Sequence, residues 1–306
     1  MKTHPTMKPA RTQVSRFTSI AVGEDPSLTS VYCIGHGSML SGGNTSFFLT
    51  SGGNSLLVDC GFSIPSSLTS FGISWQSISN VFLTHAHADH VNGLSPVLAA
   101  NRYQLNRPRT SKPNLLSTAV FARNLWNHSL ALDLSSHDHA EVQTEVEGQD
   151  PASRPSSAWY TVTEPAEVDT FAGRDVYTFQ VPGFTVEAFR TMHTPATGTS
   201  AMESAWSTGL LINNRIWISG DTRFDPELLA AYAPHATVMI HDASQWDLDT
   251  VHTPVGKLAT LPISMKGKMW LTHLATGSDT EDFNASVRTK GFRGLALSGT
   301  KFTVAN

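Results

Sequence analysis

The stretch Val81-Phe82-Leu83-Thr84-His85-Ala86-His87-Ala88-Asp89-His90 places three imidazoles and one carboxylate directly after a short apolar run. The apolar run predicts a strand. A strand that ends in a tight loop can aim His85 and His87 at one metal, while Asp89 and His90, past the bend, face a second. Imidazole suits zinc, and the carboxylate extends the choice to manganese or iron. The alternative is a chance group of surface histidines, but the dense spacing favours a metal site.

Short apolar runs separated by glycine-rich turns surround this loop. Segments 31–34, 45–50 and 55–59 have the pattern of antiparallel strands joined by hairpins. Asp59 ends the third of them, where its carboxylate can support the histidine loop or cap a turn. The remaining pattern predicts helices at 65–71, 92–101 and 119–130, and strands at 112–117, 159–162, 175–180 and 184–190.

Further metal-capable residues follow strand-like runs in the second half of the chain. They are His193 after 184–190, Asp221 after 215–220, His241-Asp242 at the end of 237–242, and His273 after 269–272. Each alone fits a hydrogen-bonded core residue as well as it fits a ligand. Together they place His and Asp along one edge of a sheet sandwich, which is how a site is built on rigid elements.

The composition is that of a globular enzyme. The chain has 306 residues, 40% hydrophobic and 15% charged, with a formal net charge of −4 and no long basic run, so it lacks the charge pattern of a strong nucleic-acid binder. Cys33 and Cys60 lie in apolar runs, which indicates buried thiols in a reducing compartment. No apolar run reaches the roughly 18 residues that cross a bilayer, and no signal peptide is recognisable. A cytoplasmic protein without a membrane partner is expected.

Two polar segments fall outside the strand and helix pattern. Residues 1–27 are expected to form a flexible leader, and residues 28–306 a single domain. Residues 134–158 are rich in Ser, Asp, Glu, Gln and Pro and are expected to form an exposed insertion or a mobile flap. His137-Asp138-His139 lies within this insertion, but no apolar strand holds it in place, so a solvated loop is favoured over a metal site.

The His-x-His-x-Asp-His cluster, the lone His, the Gly-Asp and the final Thr-His resemble the metallo-β-lactamase fold superfamily over about residues 30 to 300. The segment Ile240-His241-Asp242-Ala243 is similar to the His-Glu-Ala segment of the branch that holds tRNase Z and the cyclic-nucleotide phosphodiesterases. The resemblance implies an α/β fold, an αββα sandwich of two mixed β-sheets flanked by helices. The metals would lie at one edge, between the sheets.

Carried over position by position, the resemblance implies two divalent metal ions, expected as Zn²⁺ with Mn²⁺ or Fe as alternatives. Two cations about 3.5 to 4 Å apart can hold a hydroxide that attacks a phosphodiester. The predicted catalytic residues are Asp89 and His241, the latter as proton donor to the leaving oxygen or as a clamp on the phosphoryl group, with Asp242 orienting it. The implied ligands are His85, His87 and His193 on the first metal, Asp89, His90 and His273 on the second, and Asp221 bridging both.

The substrate expected from these residues is a small phosphodiester, a cyclic nucleotide. β-Lactamases of this fold commonly carry a Cys where Asp221 stands, and the acidic insertion at 134–158 would repel a tRNA backbone. Thr194 and Thr197 are candidate substrate contacts, with turn capping as the alternative. The other functions considered are a tRNase Z-like RNA 3′-end endonuclease, a lactonase or other ester hydrolase, and a non-catalytic metal-bound sensor. The resemblance also suggests a homodimer.

Overall fold

The computed structural model describes residues 12–20, 25–103, 112–136, 156–195, 197, 200–246 and 251–306. Within these ranges, two mixed sheets of eight strands each lie against one another with helices on the outer faces. This arrangement confirms the predicted αββα sandwich. Over the same ranges, every helix is too short or too polar to cross a bilayer.

The first sheet carries the loop that was predicted to bind metal. Its strand order is β1-β16-β2-β3-β4-β5-β6-β7, and the pairing changes from antiparallel to parallel between β4 and β5. Its strands are β1 (Thr12–Arg16), β2 (Leu28–Gly35), β3 (Ser46–Ser51), β4 (Asn54–Val58), β5 (Asn80–Phe82), β6 (Asn114–Leu116), β7 (Thr161–Thr163) and β16 (Thr300–Ala305).

The second sheet supplies the remaining metal-capable residues from its strand ends. Its order is β15-β14-β13-β12-β11-β10-β9-β8, with parallel pairing from β12 to β15. Its strands are β8 (Glu167–Phe171), β9 (Arg174–Val181), β10 (Phe184–Arg190), β11 (Thr208–Ile212), β12 (Ile216–Ile218), β13 (Val238–Asp242), β14 (Met269–Thr272) and β15 (Gly294–Leu295).

The helices begin and end close to the predicted positions. The helix predicted at 119–130 continues further, through a π-helical turn at Trp126–Leu130 into α5. The helices of the described ranges are α1 (Ile64–Ser70), α2 (Ala88–Val91), α3 (Leu94–Tyr103), α4 (Ala119–Leu125), α5 (Ala131–Ser136), α6 (Pro226–Tyr232), α7 (Val255–Leu258), α8 (Ile263–Lys266) and α9 (Glu281–Thr289).

Alternate side chains of each central strand belong to different layers of the core. In β3, Phe47 and Leu49 pack between the two sheets, while Phe48 packs against the helices of the first sheet. In β12, Ile216 lies between the sheets and Trp217 against the helices of the second sheet. Because both faces of a strand are covered, the strands are continuous apolar runs rather than alternating ones. Burial on both faces holds the strand ends, and the residues that follow them, in fixed positions.

Two segments differ from the sequence expectation. Thr12–Arg16, inside the predicted flexible leader, forms β1 and pairs with the last strand in antiparallel register. Phe17 follows it and packs its ring on Tyr32, with the ring centroids 5.0 Å apart. The segment expected to form a flexible leader thus includes a paired edge strand, whereas residues 1–11 and 21–24 lie outside the described residues. At the insertion, Leu134 is fully buried in α5, and the tripeptide His137-Asp138-His139 also lies outside the described residues.

Gly61 marks a close approach between the end of β4 and α2, the helix that begins within the metal loop (Thr84–His90). A Cβ at this position would lie 1.9 Å from the backbone oxygen of Asp89. We expect Gly61→Ala to lower the free energy of unfolding by about 1–3 kcal/mol, the usual range for overpacking. Urea unfolding should show this loss, whereas Gly42→Ala, with no heavy atom within 4 Å of the added carbon, should match wild type. Equal midpoints for the two variants would contradict the expectation.

Candidate metal centre

The loop after β5 turns the chain so that its four metal-capable side chains point to two neighbouring positions. His87 is the last extended residue, with φ −69° and ψ 151°, and α2 starts at the next residue. The ligand atoms of His85, His87, His193 and Asp221 lie within 4.8 Å of one another, and those of Asp89, His90 and His273 form a second such group. The structure thus brings together all seven residues that the family resemblance implies as ligands.

Asp221 lies at the centre of both groups. Its Oδ2 lies 3.7 Å from Nε2 of His85 and 3.8 Å from Nε2 of His193 in the first group. The same oxygen lies 3.4 Å from Nε2 of His90 and 3.3 Å from Nε2 of His273 in the second. Burial opposes ionisation of this carboxyl, but the imidazoles of His273, His90 and His252 outweigh it and hold its pKa well below the usual range. Asp221 is therefore a buried carboxylate shared by two sets of imidazoles.

The unpartnered atoms of the centre fit a divalent cation. Asp89 Oδ1, His90 Nε2 and Asp221 Oδ1 are buried and lack a hydrogen-bond partner among the described residues. Buried polar atoms without partners are costly, and charged ones more so, unless something neutralises them. The metal-capable atoms are 3.0 Å apart for His85 Nε2 and His87 Nδ1, and 3.9 Å apart for His273 Nε2 and Asp89 Oδ2. Two ligand atoms that each lie about 2.0–2.1 Å from a tetrahedral ion are about 3.3 Å apart, which falls between these values.

Four of the five imidazoles are anchored through Nδ1, which leaves Nε2 for a metal. His90 Nδ1 lies 2.8 Å from Asp59 Oδ2, and His193 Nδ1 lies 3.0 Å from the carbonyl oxygen of Val251. His85 Nδ1 lies 3.1 Å from the hydroxyl of Thr84, and His273 Nδ1 lies 3.2 Å from that of Thr45. His87 is the exception, because its Nδ1 faces the centre. Such outer contacts orient ligands and select their tautomers.

Asp59 contacts the histidine loop, which is one of the two roles that the sequence predicts for it. Its Oδ1 accepts from the backbone N–H of Thr84 at 2.7 Å, and its Oδ2 accepts from the hydroxyl of the same residue at 2.8 Å as well as meeting His90. Its φ of +62° is unusual for a residue other than glycine. Asp59 therefore joins the end of β4 to both ends of the metal loop.

We expect Asp59→Asn to weaken metal binding by about 10- to 100-fold, the range for loss of an outer-sphere partner. The amide removes the negative charge that holds His90 as an Nδ1–H donor. Competition of the purified protein against a chelator measures the change, and excess metal should restore the activity of the variant. Asp169→Asn, which neutralises a carboxylate on the edge strand β8, serves as the control for lost charge and should bind metal like wild type. Wild-type metal affinity in Asp59→Asn would contradict this role.

His252 belongs to the site although the strand-end pattern did not select it. Its Nδ1 lies 3.0 Å from Asp242 Oδ2 and 3.9 Å from Asp221 Oδ2, and its side chain is 26% exposed. Burial lowers its pKa, but the hydrogen bond to Asp242 and the charges of Asp221 and Asp242 raise it to about 9. His252 lies outside the strands and helices of the described residues. The one sequence signal is that the tripeptide His-Thr-Pro occurs both at 193–195 and at 252–254.

His241 lies outside the cavity, contrary to its predicted role. It is 1% exposed, and its ring centroid lies 5.4 Å from that of Trp217, a residue of the helix-facing core layer. Strand alternation explains this position, because His241 is two residues from Met239, whose side chain is in that same layer. Its neighbour Asp242 lies between two histidines, with Oδ1 3.1 Å from Nδ1 of His241 and Oδ2 3.0 Å from Nδ1 of His252. The same Oδ2 accepts from the backbone N–H of Thr222. Among the two histidines that contact Asp242, His252 lines the cavity and His241 does not.

The two threonines predicted as substrate contacts do not line the cavity above the metal-capable residues. Thr194 accepts a backbone hydrogen bond from Ala205 at 2.6 Å, and Thr197 is exposed. The cavity has a volume of about 540 Å³. His87, Asp89, His193, Asp221 and His273 form its floor, together with His252. A space of this size and depth suits a small-molecule substrate.

Comparison with known proteins places this chain in a family. Residues 29–302 match the family described as Anti-Pycsar protein Apyc1. The Anti-Pycsar protein Apyc1 of Paenibacillus harenae is 30% identical over 231 residues, which are 75% of this chain and 82% of that protein.

Solved structures show the same fold. The metallo-β-lactamase fold protein YhfI from Bacillus subtilis aligns with a TM-score of 0.60 at 16% identity, over 90% of this chain and 99% of its own. Unliganded yeast PDE1 aligns with a TM-score of 0.56 at 15% identity, over 92% of this chain and 100% of its own. At such identities the likeness concerns the fold, and it confirms the metallo-β-lactamase fold predicted from the sequence.

Proposed function

We propose that this chain, which belongs to the Anti-Pycsar protein Apyc1 family, hydrolyses a 3′,5′-cyclic nucleotide to a nucleoside monophosphate with two bound divalent metal ions. Proteins of this family degrade cyclic nucleotides, and the chain is a metal-dependent phosphodiesterase of that type. The alternatives of an RNA 3′-end endonuclease, a lactonase and a non-catalytic sensor are not favoured by this membership.

The observation that carries the proposal is the position of Asp221. Its Oδ2 lies within 4 Å of ring nitrogens of His85, His90, His193, His252 and His273, and its Oδ1 has no hydrogen-bond partner among the described residues. A carboxylate with imidazoles on both sides suits a ligand shared by two cations. Two divalent cations at such a site stabilise charge on phosphoryl oxygens and lower the pKa of a water towards 7.

The positions of the seven metal-capable residues suggest which of them would hold each metal. We assign His85, His87 and His193 to one metal, Asp89, His90 and His273 to the other, and Asp221 to both. Asp89 is thereby a ligand that also faces the cavity.

His252 replaces His241 as the proton donor in this proposal. It lines the cavity, and Asp242 orients its ring through Nδ1. The oxygen of water bonds to phosphorus, the bond from phosphorus to the ribose oxygen breaks, and the proton from His252 ends on that ribose oxygen. The proton that the water loses passes to solvent, and His252 takes up a proton again before the next turnover.

The finer assignments are also proposals. Zinc is favoured by the five imidazoles of the ligand set, with manganese or iron as alternatives. A cytoplasmic location is supported by the two free, buried thiols of Cys33 and Cys60. The homodimer suggested by the family resemblance is tested by the mass of the purified protein in solution.

Metal analysis combined with a panel of cyclic mononucleotides tests the activity. We expect two metal ions per chain, turnover of at least one cyclic nucleotide, loss of turnover after chelation and recovery when Zn²⁺ or Mn²⁺ is added back. Precursor tRNA and an acyl lactone, assayed at the same metal and salt concentrations, serve as comparison substrates. Fewer than two metals per chain, or no turnover of any cyclic nucleotide by the metal-loaded protein, would overturn the proposal.

A further inference from the structure

The cavity above the metal-capable residues has an apolar wall at its mouth. Met39, Leu40 and Trp246 line this wall and are 44%, 89% and 55% exposed, respectively. Large apolar side chains with this exposure are costly to hydrate, and here they occur beside a cluster of buried charged groups. A single ligand in this cavity would therefore meet charged groups at the floor and apolar side chains at the mouth.

The loop that carries Met39 and Leu40 is joined to the segment that carries His273. Leu274 accepts hydrogen bonds at its carbonyl oxygen from the backbone N–H of Ser38 at 3.0 Å and from the hydroxyl of Ser41 at 2.9 Å. The hydroxyl of Thr276 donates to the carbonyl oxygen of Leu40 at 3.1 Å. The backbone that carries Met39 and Leu40 is thus tied to the segment that follows His273.

The hydroxyl groups on this wall are engaged in local contacts. Ser244 donates to the carbonyl oxygen of Trp246 and accepts from its backbone N–H, at 3.3 and 3.2 Å. The hydroxyl of Ser38 lies 3.4 Å from that of Ser41, and that of Thr276 is bonded to Leu40. The wall therefore presents mainly apolar and aromatic contact area to a ligand rather than hydrogen-bonding groups.

We propose that Met39, Leu40 and Trp246, the apolar clamp, hold the nucleobase of the substrate. This inference rests on the proposed function, because it takes the phosphodiester to the cavity floor. The base is attached to the opposite side of the ribose from the cyclic phosphate, so a phosphate at the floor directs the base towards the mouth. The base is also the flat, weakly polar part of the molecule, and bases stack on aromatic rings regardless of their hydrogen-bonding edges.

Steady-state kinetics of Trp246→Ala and Leu40→Ala test the clamp. We expect Trp246→Ala to raise KM for a hydrolysed cyclic nucleotide about 10- to 100-fold, the range of base–aromatic stacking, with a smaller change in kcat. Trp246→Phe should stay near wild type because it retains a ring. Methyl p-nitrophenyl phosphate, a phosphodiester without a nucleobase, should be hydrolysed equally by all variants. Leu132→Ala, at a residue that is 78% exposed and outside the cavity lining, is the matched control for Leu40→Ala.

The possible outcomes separate the clamp from the activity itself. Normal turnover by wild type with an unchanged KM in Trp246→Ala overturns the clamp and leaves the proposed function standing. A wild-type protein that hydrolyses no cyclic nucleotide overturns both. A change in the oligomeric mass of the Leu40 and Trp246 variants, with unchanged KM, identifies the three side chains as a contact between copies of the chain and also overturns the clamp.

Discussion

Asp221→Ala is expected to reduce the turnover of cyclic nucleotides by at least about 10³-fold, because metal ions contribute several kcal/mol of charge stabilisation in the transition state. The carboxylate oxygen Oδ2 lies 3.3–3.8 Å from Nε2 of one or more imidazoles in each metal group. Its removal therefore takes a ligand from both sites at once. It also leaves the buried histidines His85, His90, His193 and His273 without their shared counter-charge.

Metal analysis of the Asp221→Ala protein separates loss of metal from loss of fold. We expect fewer than two ions per chain and a far-ultraviolet circular dichroism spectrum like that of wild type. Asp169→Ala, which removes a carboxylate from the edge strand β8, should keep both ions and full activity. Two tightly bound ions and normal turnover in Asp221→Ala would refute the shared-ligand assignment.

His252→Ala is expected to lower kcat for cyclic nucleotides by about 10²- to 10⁴-fold, the usual contribution of a positioned general acid, with little change in KM. The ring lines the cavity and is oriented by Asp242 at 3.0 Å. A substrate with a good leaving group, such as methyl p-nitrophenyl phosphate, needs less protonation and should be affected less. The ratio of the two losses is the measurement that identifies the proton donor.

Two comparisons make the His252 result specific. His241→Gln changes the neighbouring histidine, which lies outside the cavity lining but 3.1 Å from Asp242, and it should lose much less activity than His252→Ala. His252 also forms a possible metal group with Asp221 and His273. If His252→Ala loses a metal ion, the residue is a ligand instead of the proton donor, and equal losses for both leaving groups would point the same way.

The strand ends were predictable because the core is covered on both faces. Continuous apolar runs such as 238–240 and 269–271 have few other stable positions in a domain of this size, and the polar residues that follow each run lie at a sheet edge. This physical constraint predicts His193, Asp221 and His273 at the sheet edge that carries Thr84 to His90. The edge strand Glu167–Phe171 was missed because its residues are mostly exposed, so its sequence carries little apolar periodicity.

His241 and His252 show where such reasoning ends. A residue at the end of a strand points to one of two faces, and a register difference of one residue exchanges them. The pattern placed His241 at the correct edge but could not show that its ring packs on Trp217 while Asp242 faces the site. His252 belongs to no strand or helix of the described residues, so no apolar periodicity in the sequence marks its position.

The sequence by itself determined that this chain builds a centre of His and Asp residues at one edge of an αββα sandwich. The dense spacing of metal-capable residues in Thr84 to His90, and the apolar runs that end in such residues, are local properties that can be read from the sequence. Only the tertiary structure decided that Asp221 sits between the two groups, that Asp59 anchors His90, and that His252 faces the cavity in place of His241. These are distances of a few ångströms between residues far apart in the chain, and they are set by the packing of two sheets.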